Sequence, residues 1–236
     1  MSIYRFFVLF AAAALLLTSS CKRSLRGEGP LTSTPVNIDE FTSITVDIPI
    51  NVKLVISDSL NCIIHAQKNI ADAIQLKVRG NELTIESEYS LKSNDPIELF
   101  ISVPVIEEVQ VNGSGDVTFI NQAKGEKIEF NVNGSGNINA KAEVEEVKGE
   151  LNGSGSLTLT GAANKASYNI NGSGDLHAED FSTDQTAIEI NGSGDAELKV
   201  TSKLKADVRG SGNIKYKGQP HVVSEIIGSG NIKKAE

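Results

Sequence analysis

The tripeptide Gly-Ser-Gly occurs seven times in this chain, and its spacing constrains the fold more than any other feature. A period near 19 residues with strand-like content is typical of a solenoid, whereas propeller blades are about twice as long. The period therefore predicts stacked β coils, with neighbouring rungs about 4.8 Å apart. The central serines are Ser114, Ser135, Ser154, Ser173, Ser193, Ser211 and Ser229, at intervals of 21, 19, 19, 20, 18 and 18 residues.

The alternation of apolar and polar residues continues through each Gly-Ser-Gly. In residues 188–200, IEINGSGDAELKV, one parity carries the apolar residues and both glycines, and the other carries the polar residues. An unbroken period of two predicts a chain that stays extended, or nearly so, through the glycines. Both Gly192 and Gly194 are then expected to face the core, where a missing side chain permits a corner or a close backbone approach.

The outward parity predicts two polar columns that flank the serines. The column before the serines holds Asn at five successive rungs, followed by Arg209 and Ile227, and the column after them holds Asp, Asn or Ser. Stacked asparagines can form hydrogen bonds along the stack, as the ladders of cross-β structures do. The candidate binding face consists of Asn112, Asp116, Asn133, Asn137, Asn152, Asn171, Asp175, Asn191, Asp195 and Asn213.

The first 21 residues predict an export signal rather than part of the fold. An apolar run from Phe6 to Leu17 has about the length of a signal-peptide core and is too short for an ordinary spanning helix. Residues 1–20 resemble a bacterial lipoprotein signal, in which Cys21 is lipidated and becomes the mature N-terminus. The leucine stands four residues before the cysteine, where the usual pattern has three. An ordinary secretory signal with an incidental cysteine is the alternative.

Three further regions follow from composition. Residues 21–36 hold Gly, Pro, Ser, Thr and charges without periodicity, which predicts a tether. Residues 37–110 contain short runs rich in β-branched residues, which predict a β-rich N-terminal region with a single helical turn near NIADAIQ. The repeat β-helix is expected over 111–236. Cys62 stands in an apolar run, where a buried, inert thiol is expected.

Several segments together resemble a known family. They are FTSITVDIPINVKLVIS, ELTIES, IELFISVPVIEEVQVNGSGDV, the repeated NGSGD/N and the closing GSGNIKYKGQP. In order and spacing they are similar to the auto-transporter adhesin, head GIN domain family, which is common in Bacteroidota lipoproteins. The resemblance covers residues 36–232. It implies a secreted, β-helix-like domain and brings no catalytic residues with it.

Catalysis is weakly supported by the sequence. NGSGD does not match the G-x-S-x-G elbow of a serine nucleophile, and seven identical serines argue against one reactive copy. Only one histidine, His177, shares the outward parity of Ser173. Asp175 and Asp195 are expected about 5 Å apart, a separation known from retaining glycosidases. Because glycosidases bracket a bond across a cleft, a polar ladder is the preferred interpretation.

Metal, cofactor and nucleic-acid binding are not expected. The repeat resembles the G-G-x-G-x-D motif of calcium-binding β-rolls, but only Asp116, Asp175 and Asp195 supply a carboxylate at that position. Calcium prefers several carboxylates and carbonyls for each ion. The net charge of −8 and the lack of a basic stripe with interleaved aromatics argue against a nucleic-acid partner.

The sequence thus predicts an all-β protein, a parallel and right-handed β-helix-like solenoid of about seven rungs. The expected function is that of a non-enzymatic, lipid-anchored outer-membrane adhesin or binding protein, whose partner is a glycan or an envelope protein. A purely structural envelope protein without a ligand and a polysaccharide-active β-helix enzyme are the alternatives. The segment KRSLRGE after Cys21 lacks the acidic run that favours surface display in Bacteroidota, which favours the periplasmic side.

Overall fold

The computed structural model describes residues 22–235, and most of them lie in β-strands. In chain order the elements are β1 (Ser24–Arg26), β2 (Leu31–Pro35), β3 (Ser43–Val46), β4 (Asn51–Ile56), β5 (Asn61–Gln67), α1 (Lys68–Ala71), β6 (Gln75–Arg79), β7 (Glu82–Glu86), β8 (Ser90–Lys92), β9 (Glu98–Val103), β10 (Glu108–Gly113), β11 (Asp116–Phe119), β12 (Ala123–Gly134), β13 (Asn137–Gly153), β14 (Ser156–Gly172), β15 (Asp175–Gly192), β16 (Ala196–Gly210), β17 (Asn213–Lys217), β18 (His221–Gly228) and β19 (Asn231–Lys234). The single turn α1 confirms the predicted helical turn.

One continuous sheet of 17 strands coils into a solenoid of about seven turns. The long strands β12 to β16 run parallel, and their repeats stack in register. Ile170 of β14 lies opposite Ile190 of β15, and Gly172 lies opposite Gly192. This arrangement confirms the predicted all-β, parallel β-helix-like solenoid, while its handedness stays a prediction.

Alternate side chains of each turn fill a narrow apolar interior. In β13, Ile138 and Ala140 are buried, whereas Asn139 between them is exposed. Phe119 and Phe130 pack edge to face inside the coil, with ring centroids 6.0 Å apart. Each large aliphatic side chain removed from water contributes about 1.5–3 kcal/mol, so the stacked interior stabilises the coil turn by turn.

The N-terminal region belongs to the same solenoid, although its turns stack in a different order from the chain. Strands β3 and β4 lie between β7 and β9 on one side and β10 and β11 on the other. The predicted boundary after residue 110 therefore falls inside β10, which pairs with both β3 and β12. The two predicted regions form one body with a shared core.

Part of the predicted tether is folded. Strand β2 pairs antiparallel with β5, and Leu31 lies opposite Gln67. Strand β1 pairs in parallel with β8, and Arg26 lies opposite Lys92. The prediction of a tether over residues 21–36 is therefore wrong for these two strands. Its composition is that of a linker, and the strands that order it, β5 and β8, lie far along the chain, so no local pattern predicted the pairing.

Candidate binding face

Each Gly-Ser-Gly forms a corner of the coil, and the chain bends at the first glycine. In all seven repeats this glycine has a φ between 99° and 142°, a conformation that favours glycine. Gly192 is partly exposed, whereas Gly194 is buried. The expectation that both glycines face the core is confirmed for the second and wrong for the first, because the backbone does not stay extended there.

Backbone hydrogen bonds stack these corners directly on one another. The carbonyl oxygen of Gly172 accepts hydrogen bonds from the N–H groups of Ser193 at 2.8 Å and Gly194 at 3.2 Å. A serine N–H donates in this way at each of six successive corners, from the carbonyl of Gly113 to that of Gly210. The corners therefore fix the register of the side chains on either side of them.

The asparagines before the corners form a continuous ladder. Asn133 Nδ2 donates to Asn112 Oδ1 at 3.0 Å, and Asn152 Nδ2 donates to Asn133 Oδ1 at 3.0 Å. Asn171 and Asn191 continue the series at 2.9 and 3.2 Å. The predicted hydrogen bonding of stacked asparagines is confirmed, and these five residues are called the Asn ladder below.

Charged residues lie at both ends of the Asn ladder. At the N-terminal end, Asn112 Nδ2 donates to Asp47 Oδ1 at 2.7 Å. At the other end, Arg209 lies opposite Asn191 and forms an ion pair with Glu189. The ladder therefore ends at the Asp47 carboxylate, which accepts from its first amide, and at the Arg209–Glu189 ion pair, which lies next to its last amide.

The residues after the corners form a second column, called the post-glycine column. Asp195 N–H donates to Asp175 Oδ1 at 3.0 Å, and both the N–H and Nδ2 of Asn213 donate to Asp195 Oδ1 at 2.8 Å. Each of these aspartates thus uses one carboxylate oxygen to hold the next rung. The column comprises Asp116, Asn137, Ser156, Asp175, Asp195, Asn213 and Asn231.

The Asn ladder, the seven serines and the post-glycine column together form one polar face. All seven serines are exposed, and the flanking residues are partly or fully exposed. A primary amide has two N–H donors and two acceptor lone pairs, so the bonds along a ladder leave further groups available. The face is a regular array of hydrogen-bonding groups that repeats about every 4.8 Å.

The acidic pair of the post-glycine column is stacked along the coil. Asp175 and Asp195 are joined along the stack through the backbone of Asp195. A cavity of about 820 Å³ lies elsewhere, with Arg26, Lys92 and Asp95 among its lining residues. The two aspartates are therefore placed as members of a ladder, in agreement with the preferred interpretation from the sequence.

A groove beside the Asn ladder was not predicted. Ser167 shares the outward parity of Asn171 on β14 and lines a groove of about 300 Å³. Lys165, Lys203 and Lys205 line this groove together with one acidic residue, Glu146, and it is called the lysine groove below. Sequence reasoning missed it because its residues come from four successive turns and follow no repeated motif.

Of the two cysteines, only Cys62 lies within the residues that the structure describes. Cys62 is buried, as predicted, and burial raises the pKa of its thiol to about 12. The predicted lipidation site, Cys21, and the predicted signal peptide, 1–20, lie outside the described residues. Within residues 22–235, no helix is both long and apolar enough to span a membrane.

Comparison with known proteins gives the family. Several solved structures share the fold over nearly the whole chain. A protein from Bacteroides fragilis described as a putative adhesin has a TM-score of 0.83 and 24% identity, over 90% of this chain and 100% of its own. A putative adhesin from Parabacteroides distasonis has a TM-score of 0.76 and 26% identity, with the same coverage.

A third solved structure, also from Parabacteroides distasonis, is described as a putative lipid binding protein. It has a TM-score of 0.76 and 24% identity, over 91% of this chain and 100% of its own. No curated protein matches the chain. Residues 40–220 match the family described as "Putative auto-transporter adhesin, head GIN domain". This chain belongs to that head GIN domain family.

Proposed function

We propose that the protein is a non-enzymatic lipoprotein of the cell envelope that binds a glycan or an envelope protein through its polar face. A binding role is supported by the family, whose description names an adhesin, and by two similar structures described as adhesins. Asp175 and Asp195 are linked along the stack by a hydrogen bond and do not face each other across a substrate cleft. This arrangement favours a binding role over catalysis.

The observation that carries the proposal is the register of the polar face. Because the corner hydrogen bonds hold every rung in place, the amides of Asn152, Asn171 and Asn191 repeat at a fixed spacing on a rigid scaffold. A preorganised array loses little conformational entropy when it binds a partner. A partner with its own regular repeat of hydroxyl or amide groups would match it at several rungs.

The chain favours a ligand recognised by hydrogen bonds and charge rather than by aromatic stacking. It has no Trp, Phe119, Phe130 and Tyr168 are buried, and the exposed Phe100 lies on β9, outside the polar face. The lysine groove shares strand β14 with Asn171, and its three lysines against the single Glu146 give it a positive charge that would attract carboxylate groups. These features support a glycan with acidic groups as the first candidate and an envelope protein as the second.

A purely structural role is the second candidate function, and the Asn ladder itself favours it. Its amides already bind one another from Asn112 to Asn191, so the ladder stabilises the coil whether or not a ligand is present. The two candidates make different predictions for a variant that removes the polar groups. A structural role predicts lost stability alone, whereas a binding role predicts lost affinity in a protein that remains folded.

Anchoring through Cys21 would place the polar face near a membrane, on the periplasmic side or the cell surface. Protease treatment of intact cells distinguishes the two sides. Digestion of the protein on intact cells would support an adhesin that contacts external partners. Full protection on intact cells, followed by digestion after the cells are opened, would contradict the adhesin role and favour binding of a periplasmic polymer.

The binding proposal is tested on a glycan array with a matched pair of variants. The first variant changes Asn171, Asp175, Asn191 and Asp195 to alanine and is predicted to lose the signal. The control changes Asn164 and Asp184 to alanine. These exposed residues lie on β14 and β15 outside the polar face and form comparable bonds with Glu145 and Thr201. Equal binding by both variants would contradict the polar-face proposal.

A further inference from the structure

A second cluster of chemically distinct side chains lies at one edge of the polar face. His177 follows Asp175 on β15 and lies opposite Glu197 of β16, the residue that follows Asp195 by the same interval. Glu179 is the next outward residue after His177 on β15. Each of the three side chains offers a ligand atom, and these atoms all lie within 4.8 Å of one another.

An irregularity of the sheet brings Glu179 to this place. The register between β15 and β16 is continuous as far as Ala178 and resumes only at Ser182. The register with the preceding strand also shifts, between Thr158 and Thr160. Bulges re-aim side chains and are over-represented next to functional sites. Glu179 therefore lies within this irregularity, unpaired with β16 and next to two residues that ordinary stacking already brings together.

Glu179 is the member whose environment points to a missing partner. Its Oε2 atom is buried and has no hydrogen-bond partner among the described residues. A buried carboxylate oxygen is costly unless a hydrogen bond or a cation compensates it. A bound cation at this cluster would supply that compensation.

Glu197 is already oriented for such a role. Its Oε1 lies 3.2 Å from Lys215 Nζ on the next turn, and its Oε2 lies 3.8 Å from His177 Nδ1. Lys215 thus holds one oxygen of the carboxylate while the other faces the imidazole. Partners of this kind orient metal-binding carboxylates in proteins.

We propose that His177, Glu179 and Glu197 form a binding site for a divalent transition-metal ion of the zinc class. One imidazole and two carboxylates suit zinc, and three protein ligands leave a coordination position for water or for a polar group of a partner. The single imidazole and the small number of oxygen ligands make calcium a poor fit. The site would add a metal contact at the edge of the polar face.

The proposal is tested by titrating the purified protein with Zn²⁺ in a calorimeter, and with Co²⁺ as a spectroscopic probe. We expect one ion per chain and visible absorption from bound Co²⁺. His177→Ala and Glu179→Gln are each expected to weaken Zn²⁺ binding by about tenfold or more. His221→Ala serves as the matched control, because His221 is an exposed histidine at the start of β18, and is expected to bind as the wild type does.

Each outcome decides the proposal. Equal affinities for the wild type and both cluster variants, or no binding by the wild type, would overturn it. Loss of binding in His177→Ala with full retention in Glu179→Gln would also overturn it, because the ion would then be held by an ordinary surface histidine. Circular dichroism and the thermal midpoint of each variant without metal show whether the fold is retained. A shift of the ring signals of His177 in NMR spectra on adding Zn²⁺ gives a readout in the wild type itself.

Discussion

Gly194 lies directly over Gly174, and a Cβ atom added to Gly194 would be 2.1 Å from the carbonyl oxygen of Gly174. The same restriction recurs at the second glycine of other corners, where a Cβ atom added to Gly155 or Gly212 would lie 2.1 or 2.2 Å from the carbonyl oxygen of Gly136 or Gly194. Neighbouring turns can stack at the normal sheet spacing only if these positions carry no side chain. Repeated glycine is therefore a packing requirement of the corner.

Gly194→Ala is expected to destabilise the protein by about 3 kcal/mol, because the new methyl group must displace backbone. Urea denaturation followed by circular dichroism measures the change. Gly125→Ala is the matched control, because a Cβ there would have no atom within 4 Å and the backbone is not in a glycine-only conformation. A stability loss of equal size in both variants would contradict the close-packed corner.

The sequence predicted best those features that follow from its two regular periods, the alternation of residues along a strand and the interval between repeats. Period-two alternation places Ile190 inside and Asn191 outside, and the 20-residue interval at this repeat stacks Asn191 on Asn171. Both follow from the geometry of an extended chain and a regular stack. The coil, the buried second glycine and the Asn ladder were predictable on this basis.

Other features depend on contacts that no local pattern records. Alternation gives the face of a residue in an extended chain but not its φ, so a corner was expected at the glycines while the inward placement of Gly192 was wrong. The pairing of β2 with β5 joins residues that are distant in the sequence, so Leu31–Pro35 resembled a linker. Glu179 reaches His177 and Glu197 through a register shift, which only the paired strands reveal.

The Asn ladder should contribute to stability through its central members. Asn152 donates to Asn133 Oδ1 and Glu150 Oε1 and accepts from Asn171. Asn152→Ala removes these bonds and is expected to lower the free energy of unfolding by about 1–2 kcal/mol. Asn139→Ala, at an exposed outward position of the same strand β13, should change it by less than about 0.5 kcal/mol. Chemical denaturation compares the two, and equal effects would show that the ladder bonds are not stabilising.

Cys62 should be unreactive in the folded protein. Burial raises the pKa of its thiol from 9.0 to about 12, so the reactive thiolate is about a thousandfold scarcer at pH 8 than in the unfolded chain. Labelling with a thiol reagent, in protein produced from Lys22 onward, is expected to be fast in denaturant and very slow without it. Similar rates in both conditions would contradict a buried thiol.

The raised pKa of Cys62 also predicts how the stability of the protein changes with pH. The pKa of Cys62 is higher in the folded state than the ordinary value of 9.0, so the unfolded chain loses this proton first as the pH rises. The contribution of Cys62 to stability is therefore complete below pH 9 and is lost between about pH 9 and 12. A wild-type protein that loses no more stability than Cys62→Ala across this window would contradict the shift.

The proposed lipid anchor depends on a single residue. Cys21→Ser is expected to move the protein from the membrane fraction to the soluble fraction and to abolish labelling by radioactive palmitate, because one acyl chain adds about 0.8 kcal/mol of membrane affinity for each buried CH₂. Fractionation of cells that express the wild type or the variant measures this. A wild type that is soluble and unlabelled would favour the ordinary secretory signal.

The most direct test of a binding role measures sedimentation of the purified protein with envelope fragments that retain both polysaccharides and proteins. The wild type and the Asn164→Ala/Asp184→Ala control are predicted to sediment with the fragments to the same extent. The variant with alanine at Asn171, Asp175, Asn191 and Asp195 is predicted to remain in solution while it keeps its folded spectrum. Equal sedimentation of all three proteins, or no sedimentation of the wild type, would contradict binding through the polar face.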